Sequence, residues 1–178
     1  SPRPSLDVLK NFYMKSTARR FWLTELWHKT QEVRLEKIIL PQLVWSQGFI
    51  TQYSTGNKLN LTEFLPNHWG YQMAARKVFP GANYKMIDNL FDSSSAKGEV
   101  KVLDIVDRVG DISLDVAFLF EALDRSPDPT VLLERVKHAL KPGGLCFITC
   151  LLSSGFEVKM LGEESEIFVP PERMNLFA

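Results

Sequence analysis

Two nearly uninterrupted apolar runs, SLDVAFLF at 113–120 and LCFITCLL at 145–152, stand on either side of one helix-length stretch. A strand with apolar side chains at successive positions has to be buried on both faces, and that is the condition of a strand inside a parallel sheet. The stretch between them, SPDPTVLLERVKHAL, carries its own start and stop signals. Asp128 suits the N-cap and Pro129 the first helical position. Leu132, Leu133, Val136 and Leu140 make an apolar stripe, and KPGG is expected to end the helix. Strand, helix and strand in this order require a right-handed crossover between parallel strands.

The alternation extends toward the N-terminus. LNLTEF reads as a short strand, and Trp69 to Phe79 as a helix stopped by Pro80 and Gly81. NYKMID reads as a second strand ending at Asp88, DSSSAKG as a loop, and EVKVLDI as a third strand with Asp104 at its end. The pattern predicts parallel strands near 59–64, 83–88, 100–105, 113–120 and 144–152. Ligands of such sheets bind at the carboxyl ends of the strands. That edge is expected to collect Glu63, Asp88, Asp104 and Glu121.

Ahead of the alternation, residues 5 to 45 read as helical. Leu6, Leu9, Phe12 and Tyr13 have helical spacing, as do Trp22, Leu26 and Val33. QEVRLEK suits a solvated face, and Pro41 is expected to end or kink the helix. Phe12, Tyr13, Phe21, Trp22 and Trp27 make this segment aromatic, as a cap packed on the core or a lid over a site. STGN at 54–57 is turn chemistry and marks a boundary. The organisation expected is a helical segment over 1–56 and an α/β domain over 57–178.

Charge narrows the partners. Lys plus Arg and Asp plus Glu number 21 each, so the sequence offers no basic excess for nucleic acid or an anionic membrane. The apolar run at 145–152 is far short of the ~20 residues that span a bilayer, and no signal-peptide pattern is visible. Cys146 and Cys150 share a face of one strand about 13 Å apart, too far for a disulfide, so two buried free thiols and a cytoplasmic setting are expected. The first residue is Ser1, which suggests a processed product or a piece of something longer.

The segment LDVAFLFEALDRSPDPTVLLERVKHALKPGGLCFIT resembles the second half of a class I S-adenosylmethionine-dependent methyltransferase. A strand with an Asp-Val start, a short acidic turn, DP, a helix, LKPGG and an apolar strand follow one another as in that family. The resemblance covers roughly Lys58 to Phe177, and PPERMNLF at 170–177 is similar to a segment after the fifth strand in members that act on small molecules. It implies a Rossmann-like parallel sheet flanked by helices, with an N-terminal helical cap. It also implies S-adenosylmethionine as cofactor. Glu63 matches the acid closing the first strand, Asp88 the ribose anchor, Asp104 the residue meeting the adenine amino group, and Phe120 and Glu121 the positions between cofactor and acceptor. Leu65, Asn67 and Gly70 occupy the loop that receives the methionine part. His68, Glu121 and Asp124 are the candidates for acid–base work, while His28 and His138 fall on helices. No metal-ligand set is expected.

Three departures from the family pattern are visible. The glycines of E/D-x-G-x-G-x-G are replaced by Leu65 and Asn67, with Gly70 one place late. Glycines there allow positive φ and close approach of the ligand. Arg125 stands where relatives often have His. The residues after the fifth strand are too few for the usual further helix and antiparallel strand pair, so either the chain is cut short or a partner or second copy completes the sheet. Two readings of function follow. One is a methyltransferase acting on a small molecule; the other is a non-catalytic methyltransferase-like domain serving as a binding module.

Overall fold

The computed structural model describes residues 4–53, 58–66, 70–87, 112–165, 167 and 173–178. The expected strand at 100–105 lies outside these residues, as do Asn67, His68, Asp88 and Asp104.

The helical region begins with α1 (Leu6–Lys15), whose cap Ser5 accepts a hydrogen bond from the Val8 N–H through its side chain. Asp7 in the first turn and Lys15 in the last complement the helix dipole. Next come α2 (Thr17–Phe21), a π-helical turn over Trp22–Leu26, α3 (Trp27–Arg34), a second π-helical turn over Leu35–Ile39, and α4 (Leu40–Tyr53). Pro41 does not end the helix, which continues to Tyr53. A proline inside a helix lacks its N–H and collides with the carbonyl four residues back. Here the turn just before it is widened, with the Leu40 N–H bonding Leu35 O five residues back. Such a π turn relieves the crowding without breaking the helix. The buried stripe also differs from the expected one. Leu26 and Val33 are exposed, whereas Ile39, Leu43, Ser46 and Ile50 are buried at helical spacing.

The α/β part contains β1 (Asn60–Phe64), α5 (Gly70–Val78), β2 (Asn83–Ile87), β3 (Leu114–Phe120), α6 (Ala122–Arg125), α7 (Pro129–Ala139), β4 (Leu140–Thr149) and α8 (Phe156–Leu161). A 3₁₀ turn over Gly162–Glu164 follows α8. The described strands form one parallel sheet in the order β2-β1-β3-β4. This is an α/β fold of the Rossmann-like kind, as the alternation requires. Asp128 caps α7 by accepting from the Thr130 and Val131 N–H groups at 3.0 and 3.1 Å, with Pro129 opening the helix.

The helix ends just ahead of KPGG, as expected, but the next strand starts earlier than the expected 144. The helix stops at Ala139, and KPGG lies within β4. Leu114 pairs with Leu140, but Val116 pairs with Leu145, so β4 bulges where it carries Pro142, Gly143 and Gly144. Gly143 adopts φ +80, and a Cβ on Gly144 would lie 3.0 Å from the Lys141 carbonyl oxygen and 3.2 Å from that of Asp115. Lys141 Nζ reaches Asp115 Oδ1 at 2.7 Å, and Asp115 Oδ2 accepts from the Asn60 N–H at 2.8 Å, which ties the start of β4 to β3 and β1.

The sheet separates two cores. On one side Ile39, Leu43 and Ile50 of the helical region and Tyr71, Ala74, Ala75 and Val78 of α5 meet Leu61, Val116, Phe118, Phe120 and Phe147. On the other, Phe64, Ala117 and Leu119 meet Leu132, Val136 and Ala139 of α7. β3 is buried on both faces, as its apolar run demands. β4 is not: Cys146 and Ile148 are exposed on the α7 side. Both cysteines are free, but the expected burial fails, since Cys146 is exposed and Cys150 only partly covered. No helix among the described residues is long and apolar enough to cross a membrane.

Candidate functional site

From β1 the chain goes to β2 on one side and later returns to β3 on the other. The point between β1 and β3 is therefore the topological switch point, where open parallel sheets form a crevice beyond the strand ends. Glu63 and Leu65 stand at the end of β1, and Phe120 and Glu121 at the end of β3.

Glu63 is fully buried, at 0 % exposure. A buried carboxylate needs hydrogen bonds, and Tyr84 of β2 supplies one, its hydroxyl donating to Glu63 Oε2 at 2.8 Å. Burial, and then the neighbouring Glu63 carboxylate, hold the Tyr84 phenol well above its ordinary pKa, so it stays a donor. Tyr71, on the first turn of α5, donates its hydroxyl to Gln42 Oε1 of α4. Its ring stacks on Phe120 at 4.7 Å and 20°. Burial raises its pKa as well, followed by the charges of Glu63 and Glu121, so the Tyr71 hydroxyl is within electrostatic reach of both strand-end acids. Glu63, Glu121 and the Phe120 ring thus lie at this edge, Tyr71 stacks there, Tyr84 reaches Glu63 from the second residue of β2, and Gln42 joins the helical region to Tyr71. The sequence reading missed Tyr71, Tyr84 and Gln42. The available signal was a tyrosine in NYKMID, directly before the charged Lys85 of a short strand.

Leu65 has φ +50, the left-handed conformation that the glycine pattern calls for at this place. A non-glycine residue there costs roughly 1–2 kcal/mol. Burial of the leucine side chain, worth ~1.5–3 kcal/mol, offsets that cost. Leu65 is 3 % exposed and belongs to the core on the α7 side with Phe64, away from the face that holds Tyr84 and Tyr71. Its N–H donates to Ile87 O at 2.9 Å, and its carbonyl accepts from the buried Arg125 guanidinium. Arg125 Nε also donates to Glu121 O at 3.0 Å. Arg125 is therefore a clamp between the turn after β1 and the turn after β3. Gly70 opens α5 and is buried.

Glu121 is a second left-handed residue, at φ +53. Its N–H donates to Thr149 O and Oγ1, both at 3.0 Å. Its half-exposed carboxylate lies 3.4 Å from the Arg173 guanidinium. Asp124 lies deeper, at 0 % exposure, and Oδ1 accepts from the Leu151 N–H at 3.0 Å. Its backbone carbonyl accepts from the Met174 and Asn175 N–H groups, and Asn175 Nδ2 donates to Leu123 O and Ser126 O at 2.9 and 2.7 Å. The terminal segment is thereby stitched over α6. Burial, partly opposed by the Leu151 N–H bond, raises the Asp124 pKa. His28 and His138 are exposed on α3 and α7. The described residues contain no group of three His, Cys, Asp or Glu able to hold a metal.

Of the expected site residues, the described structure therefore brings Glu63, Phe120 and Glu121 to one edge, with Gly70 at the start of α5 beside Tyr71. Leu65 is turned into the opposite core, and Asp124 is set under the terminal segment. No family model matches the chain, and no curated protein matches it either.

Proposed function

We propose that this domain binds S-adenosylmethionine at the β1–β3 switch point and transfers a methyl group to a small molecule. The observation that carries the reading is Leu65. Its backbone takes the left-handed turn that the resembled motif obtains from glycine, while its side chain leaves the acid's face for the other core. The first residue after β1 thus keeps a left-handed backbone without glycine. In this reading Asp88 anchors the ribose hydroxyls, Asp104 meets the adenine amino group, and Asn67 and the backbone near Gly70 receive the carboxylate.

When bound, the cofactor supplies an electrophilic methyl group on a good leaving group. The protein's main task is alignment, which is worth ~7–11 kcal/mol when donor and acceptor are held in line. Phe120 and the Tyr71 ring stacked on it form an apolar wall at the end of β3. Glu121, half-exposed and oriented by Arg173, is placed to hold or take a proton from an acceptor, with His68 as a second candidate. Asp124 holds the backbone of Leu151, just after β4. Balanced charge favours a small acceptor over nucleic acid, and a cytoplasmic setting belongs to the same reading.

Two observations favour the second reading, a non-catalytic binding module. Leu65 is buried in one core with Phe64 and with Ala117 and Leu119 of β3, the place expected of it where no cofactor binds. The Glu63 carboxylate is fully buried and engaged by Tyr84, so it is committed to the fold. Calorimetric titration with S-adenosylmethionine and S-adenosylhomocysteine separates the two. The enzyme reading expects the parent to bind both, Leu65→Gly to bind within about threefold of it, and Asp88→Ala to lose ~1.5–3 kcal/mol, the scale of a hydrogen bond to a charged group. A silent parent whose Leu65→Gly variant binds points to the module. Silence in both removes the enzyme reading.

A further inference from the structure

Away from this edge, a groove of about 570 Å³ runs between α7 and β4. Its floor is apolar, with Leu133 and Val136 from the helix and Cys146 and Ile148 from the open face of the strand. Its rim carries Lys137, His138 and Lys141 and, among the described lining residues, no acid; Lys141 is held by Asp115. The next helix of the same chain has the complementary character. In α8, Phe156 and Met160 are 80 % and 67 % exposed, with Leu161 beside them. Helical spacing of four puts the first two on one face. The exposed charges around that face are Glu157, Glu163 and Glu164, against one cation, Lys159. Among the described residues α8 packs substantially only against the turn that follows it.

We infer that the α7–β4 groove is a docking surface for α8 of a second copy of this chain. Apolar side chains left this exposed on a helix, beside an open apolar groove, mark association surfaces. Basic rim and acidic helix are opposite in sign, which selects this partner face and orientation. The exchange is reciprocal: α8 of each copy enters the groove of the other, giving a closed two-fold dimer with two equivalent contacts. The inference does not rest on methyl transfer.

Sedimentation velocity over a range of protein concentrations tests it. The parent is expected to form a dimer, and Met160→Glu and Ile148→Glu each to weaken it by about 30-fold or more, the effect of losing an interface anchor. Both side chains are exposed, and unchanged circular dichroism checks that each variant folds. Lys137→Glu with His138→Glu should also weaken the dimer, and adding Glu163→Lys and Glu164→Lys should restore it. A parent that is monomeric at every concentration overturns the inference, which covers the case of α8 folding back into its own groove. So does a dimer that survives both Met160→Glu and Ile148→Glu, because β4 edges or another face would then hold it. Failure of the charge reversal to restore the weakened dimer overturns the proposed pairing of helix and groove.

Discussion

The two sides of the sheet are built from different materials. On the α4–α5 side the core is aromatic. Phe118 stacks with Tyr84, Phe120 and Phe147 at 6.1, 5.2 and 5.6 Å, and Tyr71 continues the stack. On the α7 side it is mostly aliphatic, from Leu65, Leu119, Leu132 and Val136. The difference decides where polar chemistry can be placed. A phenol gives a core both apolar bulk and a hydrogen-bond donor. Glu63 can therefore be buried on the aromatic side, where Tyr84 meets it, whereas an aliphatic core would leave the carboxylate without donors at a cost of several kcal/mol. The aliphatic side suits the opposite task, taking in Leu65 without stranding a polar group. The sides also end differently at β4. Trp45, Phe49 and Phe147 pack edge to face over the first, and the second stays open at Cys146 and Ile148.

The largest effects test the cores themselves. Phe118→Ala should cost about 3–5 kcal/mol in urea unfolding, and Leu119→Ala about 2–5 kcal/mol. The aromatic side is the denser one if Phe118 costs more, and the contrast breaks if the neighbour on the aliphatic side costs as much or more.

Tyr84→Phe keeps the ring and deletes the donor to Glu63. It should cost ~1–3 kcal/mol, the penalty for a buried acceptor left short of a partner. The double variant Tyr84→Phe with Glu63→Gln should recover part of that loss. An unchanged stability in Tyr84→Phe would show that the carboxylate is satisfied without the phenol.

Leu65→Gly releases the left-handed strain of roughly 1–2 kcal/mol but loses ~1.5–3 kcal/mol of burial and adds ~0.5–1 kcal/mol of chain entropy. The net loss expected is about 1 kcal/mol. A gain in stability would mean that the aliphatic core is not what holds the turn.

Asp124→Asn should have the smallest effect at any one pH and show itself as a slope. A raised pKa means that the folded chain keeps this proton just above the ordinary aspartate pKa, where the unfolded chain has lost it. Stability from this group is then present at low pH and falls as pH rises through that window. The amide can still accept from the Leu151 N–H, so the variant should lose the fall while keeping the fold. Identical pH profiles for parent and variant would remove the claim that burial governs this acid.

Much of the domain was legible because its rules are local. Asp128 and Pro129 start α7 through hydrogen bonds that reach only two and three residues ahead. The apolar run 113–120 could lie only in a strand covered on both faces, and β3 is that strand. Glu63 and Glu121 could be placed at one sheet edge because strand ends and chain direction follow from the alternation, while Phe120 was implied by the resemblance. Local rules misjudged places where a distant neighbour intervenes. Pro41 reads as an end or a kink, and it does not end the helix: buried Leu43 and Ile50 hold the helix beyond it, and a widened turn absorbs the ring. KPGG does mark the helix end, but the register with β3 also draws it into a bulged strand that starts earlier than the apolar run suggests.

What the chain's order of residues determined alone, among the described residues, is β1 to β4 with α5 and α7 between them, the parallel sheet they must form, and Glu63 and Glu121 at its edge. Periodicity, caps and strand length act within a few residues. What the tertiary structure decided is the state of those acids: Tyr84 laid over Glu63, Arg125 clamping Leu65 to Glu121, Asn175 stitched over α6 above Asp124, and Leu65 turned into the far core. These pairs lie from 21 to 60 residues apart for the Tyr84 and Arg125–Leu65 bonds. Which partners meet across such separations depends on sheet register and on which side each helix packs, and neither is written in the spacing of the residues themselves.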